Sequence, residues 1–198
     1  MTPSRNHSAS SPPRRRADAE RSVARILDAA IDALASDPEA SMAEIARRAG
    51  VVRATIYAHF PTRESLIEAI TLRAVDQVTE QIVAAEPARD DAAEALARVV
   101  AVTWRALGRF HALIALNSRQ SSVELRRRHE AVLAVLEPLI ARGRRDGTFR
   151  ADVPVQWHLS MILALVHAAS AELREGRVPA DRVEAAVVAT VLGALRRP

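Results

Sequence analysis

Apolar positions recur at helical spacing along most of this chain, and the interruptions divide it into segments. Val23, Ile26, Leu27, Ala30, Ile31 and Leu34 form one stripe, which predicts a first helix that Asp37-Pro38 stops. From Ser41 to Leu66 the sequence SMAEIARRAGVVRATIYAHFPTRESL describes two short helices joined by a glycine turn. Ser41 is placed to cap the first, with Glu44 at its third position to complete a capping box, while Ile45, Ala46 and Ala49 recur on one face. Gly50 ends that helix, because a left-handed corner favours glycine, and Val51 plugs the space between the two helices. Over Arg53 to Phe60, Ile56 and Phe60 stand four apart as inward anchors, which turns Ala54, Thr55, Tyr57 and Ala58 outward. Thr62 then caps a third helix, whose stripe of Leu66, Ile70, Val75, Val78 and Ile82 runs to Glu86-Pro87 as a long strut.

An outward tyrosine between small residues suits a DNA groove. Small side chains let a helix sink until base edges come within reach, while Thr and Tyr hydroxyls and an Arg bond phosphates. The candidate DNA contacts are therefore Arg53, Ala54, Thr55, Tyr57, Ala58, His59 and Arg63. A capped helix pair also serves as a plain helical hairpin, and spacing alone leaves both uses open. The stretch AEIARRAGVVRATIYAHFPTRESL, however, resembles the DNA-binding pattern of the tetracycline-repressor (TetR) family of transcriptional regulators. The resemblance begins at Arg21, runs through ILDAA at Ile26 to Ala30 and ends in the helix after Thr62. It implies a DNA-binding regulator that dimerises through its last two helices. Three departures stand out: Val52 where the family usually has a capping Ser, Leu34 in place of a common Phe, and a short Asp37-Pro38 loop without the frequent glycine.

Beyond the strut, Asp90 to Phe110 reads as a helix, His111 to Ser118 as a short apolar one, and Ser122 to Arg145 as a third with Arg on its outer side. Gly143 and Gly147 then bracket a turn in GRRDGTFRADVP, which lacks the Walker spacing of a phosphate cradle. Val155 to Glu175 is apolar nearly all round from Leu159 to Ala171, so it is expected to be buried on two sides. The final helix carries two stripes, one of Val183, Ala186, Val187, Val191 and Ala194 and one of Val188, Leu192 and Leu195. One stripe can face the core and the other a second copy, with small residues allowing close approach. The candidate dimer contacts are Ala168, Val188, Leu192 and Leu195; a thick monomeric core is the other reading.

Composition narrows the class. The 49% apolar content with 6 Gly and 3% aromatics, made largely of Ala, Leu and Val, favours packed helices over sheets, so the expected fold is all-α. A length of 198 residues exceeds the DNA-binding unit. The expected division is a disordered basic tail over residues 1–16, a helix-turn-helix unit over 17–62, and an effector-binding and dimerisation unit over 63–198. The absence of Cys removes disulfide frameworks, thiolate catalysis and Cys-based metal sites. No signal peptide or membrane span is expected, and a cytoplasmic location follows. The net charge of +4 resides in Arg5, Arg14, Arg15 and Arg16, so basicity is local, and the arginine cluster is a second candidate DNA contact beside the reading of a solvated leader.

Nothing in the chain reads as an enzyme. The six His include no i, i+4 pair, no HExxH occurs, and Ser160 lacks a glycine elbow and reads as a core hydroxyl. No catalytic residue, metal ligand or cofactor is expected. Trp104, Phe110, His111, Trp157, His158 and Met161 are the mixture that small-molecule pockets use, and equally the groups that pack a core poor in aromatics. They are the candidate lining of an effector cavity. The expected function is a homodimeric repressor of a palindromic DNA operator, released by a small molecule. An activator or ligand-independent regulator on the same fold, a helical enzyme and a protein-binding adaptor are the alternatives.

Overall fold

The computed structural model describes residues 12–111, 114 and 121–197. Among them the regular elements are helical: α1 (Pro12–Ser36), α2 (Met42–Arg48), α3 (Arg53–His59), α4 (Arg63–Ala84), α5 (Ala92–Leu107), a single 3-10 turn (Gly108–Phe110), α6 (Ser122–Arg128), α7 (Glu130–Arg145), α8 (Val155–Arg174) and α9 (Ala180–Leu195). The fold is all-α, with one isolated antiparallel bridge between Phe149 and Arg196 among the described residues. α1 packs on α2 and α4, and α2 on α3; α4 packs on α5 and α7, α5 on α7 and α9, and α8 on α7 and α9. Buried apolar side chains form one continuous cluster from Ile26 in α1, through Ile70 and Ile82 in α4, to Leu195 in α9.

Local chemistry explains most boundaries. Ser41 Oγ accepts the Glu44 amide at 3.2 Å, but Glu44 turns its carboxylate to Arg47 and Arg48 instead of back to Ser41, so the expected capping box is half made. A full box stands at the start of α4, where Thr62 and Ser65 each accept the other's amide. Asp91 caps α5 through the amides of Ala93 and Glu94. The first helix begins at Pro12, inside the stretch expected to be disordered, because proline fits the opening turn, where its missing N–H is no loss. Residues 1–11 of that tail, and most of the short helix expected over His111 to Ser118, lie outside the described residues.

Three further expectations change. The helix expected over Ser122 to Arg145 is broken at His129, whose backbone (φ −100, ψ 13) ends α6 and starts α7. Gly143 lies inside α7 rather than at a turn: a Cβ there would overlap the Phe149 ring and stand 2.8 Å from Ala92 Cβ, so the glycine admits the chain that folds back over it. Gly147, at φ +76, makes that turn. Ser160 is exposed and accepts a 3.3 Å bond from Arg126, while Ser170 is the buried hydroxyl of α8 and donates to the Val166 carbonyl at 2.9 Å.

Arginines hold the loops. Arg98 donates to the carbonyls of Ala85, Glu86 and Arg89 and pairs with Asp90, gathering a loop in which Glu86 (φ 49) and Asp90 (φ 64) are left-handed. Arg142 reaches the same loop at Pro87 and Ala88, and Arg144 bonds the carbonyls of Ala151 and Val153 between α7 and α8. The planar guanidinium fork suits several carbonyls at once.

Candidate functional site

α3 packs on α2 and is anchored in the core by Ile56, fully buried, and Phe60, 7% exposed. Gly50 takes φ +66 at the corner between α2 and α3, and Val51 packs half-buried on the core. The opposite face presents Arg53, Ala54, Tyr57 and Ala58 to solvent, with Thr55 and His59 half-buried beside them. Tyr57 is 40% exposed. Val52 makes no side-chain cap bond, so this helix start forgoes about 1 kcal/mol that a capping Ser contributes.

Arg63 stands differently from expectation. Its guanidinium donates to the carbonyls of Ala40, at 2.8 Å, and Pro38, tying the α1–α2 loop to the start of α4 rather than standing free for a phosphate. On the outer side of α2, hydrogen bonds from Arg47 and then Arg48 hold the Glu44 carboxyl down to about 2.

A cavity of about 80 Å³ lies between α4, α5, α6, α7 and α8. Val75 and Val78 from α4, Val99 and Val100 from α5, Leu133 and Leu136 from α7 and Ile162 and Val166 from α8 supply its walls. The polar lining is Thr71, Thr103, Arg128, His129 and His167; among the described residues no carboxylate faces it. The rings of His129 and His167 meet edge-on at 5.4 Å, and His129 Nδ1 lies 2.8 Å from the Leu125 carbonyl, which makes that nitrogen the protonated one. Burial lowers both imidazoles, His167 to about 4 with a further push from His129.

Of the six residues expected to line an effector cavity, Phe110 lines this one, and Trp104 lines the open groove between α5 and α9 instead. Trp157 is 65% exposed. Trp104 stacks on His111 at 4.2 Å, with His111 Nδ1 2.9 Å from Ser170 Oγ, on the side of α5 that faces α9. His158 is 2% exposed with neither ring nitrogen bonded, and burial followed by the charges of Arg144 and Arg150 lowers its pKa. Met161 is half-buried outside the cavity. The cavity residues that sequence reasoning missed, His129 and His167, carried one usable signal: polar groups on the inner sides of otherwise aliphatic helices.

On the outer face of α8 and α9, Ala168 is exposed, and Val188 and Leu192 are half-buried along a groove with Ala185 and Ala189. Leu195 is fully buried and aligns with Val183, Val187 and Val191, so it is a core residue and not a partner contact. Its carbonyl accepts the Arg150 amide at 2.8 Å, and the Phe149–Arg196 bridge folds the α7–α8 turn against this helix end.

The family description "Bacterial regulatory proteins, tetR family" matches residues 26–70, and "YsiA-like protein, C-terminal region" matches residues 72–172. The chain belongs to the tetR family. It is accordingly a DNA-binding transcriptional regulator and not an enzyme. The fatty acid metabolism regulator protein of Bacillus subtilis is 26% identical over 150 residues, 71% of this chain and 77% of that protein. The crystal structure of FadR from Bacillus subtilis in complex with stearoyl-CoA superposes with a TM-score of 0.71 at 22% identity, covering 87% of this chain and 98% of that one. LfrR from Mycobacterium smegmatis in complex with proflavine superposes at 0.70 with 24% identity, covering 90% and 98%. These two structures share the fold. No helix among the described residues is long and apolar enough to cross a membrane.

The buried imidazoles give this tetR-family chain an acid-sensitive core. An unfolded His167 takes up its proton near pH 6.5, the folded one near 4, so folding stability is flat above pH 6.5 and falls as the pH drops towards 4. This group alone removes about 2 kcal/mol by pH 5. Urea unfolding at a series of pH values measures the slope, and His167→Asn is expected to flatten it.

Proposed function

We propose that this regulator is a repressor that binds a roughly palindromic operator as a homodimer and leaves it when an effector with a long aliphatic chain enters the cavity between α4 and α8. In this reading residues 17–62 are the DNA-binding unit and residues 63–198 the effector-binding and dimerisation unit. The exposed face of α3, with Arg53, Ala54, Thr55, Tyr57, Ala58 and His59, enters the major groove. Two copies joined through Ala168, Val188 and Leu192 set the two α3 helices about one turn of B-DNA apart, ~34–36 Å.

The observation that carries the effector class is the lining. Relatives of this chain were crystallised with stearoyl-CoA and with proflavine. A flat cationic dye would call for an aromatic cage or a carboxylate, whereas the described lining of this cavity is largely aliphatic, with one aromatic ring, Phe110, no carboxylate, and Arg128, His129 and His167 among its polar groups. That arrangement suits an acyl chain with an electronegative carbonyl or anionic head. The volume of about 80 Å³ is small beside the ~300 Å³ and more of drug-sized sites. An acyl chain therefore has to push the helices apart, and α4, one wall of the cavity, begins immediately after α3. A ligand that favours the wider state lowers operator affinity by the difference in its binding to the two states.

The test is selection of bound fragments from random DNA by the purified protein, followed by titration of the selected complex with stearoyl-CoA and, separately, proflavine. Release by stearoyl-CoA and not by proflavine is expected. Absence of any enriched sequence would sink the operator reading, and an enriched operator indifferent to stearoyl-CoA would sink the effector class alone.

A further inference from the structure

Around the start of α3 the exposed surface is short of groups that hydrogen-bond bases, Tyr57 and His59 standing further along the helix. Ala54 and Ala58 have none to offer, and Arg53 alone carries a charged fork at the helix start. Next to Arg53 stands Val52, 69% exposed; among the described large apolar side chains only Val123, at 75%, is more exposed. The extended backbone at Val52 (φ −75, ψ 154) sends its side chain away from the core that receives Val51. Its carbonyl remains tied into the helix, accepting the Thr55 amide at 2.9 Å, so the side chain projects from a fixed point. A polar residue here would fold its oxygen back onto the amides of the first turn and face the DNA with little. A valine has no such use, and water gains nothing from its exposure.

We propose that Val52 is a specificity-determining residue that reads the 5-methyl group of a thymine in the major groove at the entry of each α3. The methyl is the one apolar group that B-DNA displays in that groove, and contact with a small apolar side chain is how proteins recognise it. Ala54, one residue inside the helix on the same exposed surface, leaves room for the close approach this contact needs. The inference rests on the assignment of α3 as the recognition helix.

The experiment starts from the operator selected with the intact chain and replaces its thymines one at a time with deoxyuridine, which deletes the methyl and nothing else. The intact protein is expected to lose about fourfold in affinity at one thymine in each half-site. Val52→Ser is expected to bind the thymine and deoxyuridine forms of that operator equally, and Val52→Ala, whose shorter apolar side chain stands further from the methyl, to discriminate less than the intact chain. Val52→Ser should melt no lower than the intact chain, because it gains a cap, so its loss of discrimination is not a loss of fold. An enriched operator whose affinity ignores every thymine methyl would overturn this proposal and leave the repressor reading standing. The same holds for a methyl dependence that persists undiminished in both variants. Failure to enrich any DNA would remove both readings.

Discussion

Leu192→Glu is expected to yield a monomer that no longer holds its operator, with affinity lower by about a thousandfold or more. Leu192 and Val188 sit half-buried in a groove that small residues, Ala185 and Ala189, leave open on the outer face of α9. In a two-fold assembly the new carboxylate lies near its own copy, desolvated and unpaired. Specific binding exceeds non-specific binding by ~10³ to 10⁷, and one half-site holds only part of that margin. Sedimentation velocity and operator binding should therefore fail together while the circular dichroism melt is retained. Leu195→Glu is the contrasting variant, since Leu195 is fully buried within its own chain and the charge there unfolds the protein instead of dividing it. A dimeric, operator-binding Leu192→Glu protein would refute the interface.

Ala74→Leu is expected to lock the regulator on its operator. Ala74 lines the cavity from α4, and the larger side chain takes up much of the roughly 80 Å³ that an effector would enter. A void of that size costs on the order of 2 kcal/mol, so filling it without strain raises the melting temperature, and the wedge needed to move α4 has nowhere to lodge. Release by stearoyl-CoA should require at least about a hundredfold more ligand, a difference of roughly 3 kcal/mol in coupling. Fluorescence anisotropy of labelled operator reads this directly. Val99→Phe fills the same space from α5 and serves if Ala74→Leu overpacks. Unchanged release in both would move the effector elsewhere.

The helix-turn-helix was legible because its determinants are local. Ile56 and Phe60 anchor α3, Gly50 is left-handed and Thr62 caps α4, each dictated by residues within a few positions. The cavity was not legible. Its walls are the same Val, Leu and Ile that fill any helical core, and whether they touch or leave a void depends on helix angles no single segment encodes. Bulky polar-tipped side chains are therefore no guide to it: Trp104 and His111 pack tilted against one another, and Trp157 is exposed. Leu195 failed for a related reason: by helical angle it lies between the two stripes of α9, and the turn around Phe149, distant in sequence, decides which side is covered. Arg63 matched the DNA-contact pattern by position, yet the carbonyls of the short α1–α2 loop claim its side chain.

Three of the arginines that gather the loops choose neutral acceptors alone. Arg63 binds Pro38 and Ala40, Arg142 binds Pro87 and Ala88, and Arg144 binds Ala151 and Val153, all through main-chain oxygen. A carboxylate partner loses its grip when acid protonates it and weakens as ions accumulate around it. A carbonyl dipole does neither. These three tethers therefore keep their hold across ranges of ionic strength over which DNA binding itself changes steeply, so that salt governs when DNA is released while the Arg63 tie at the start of α4 stays in place.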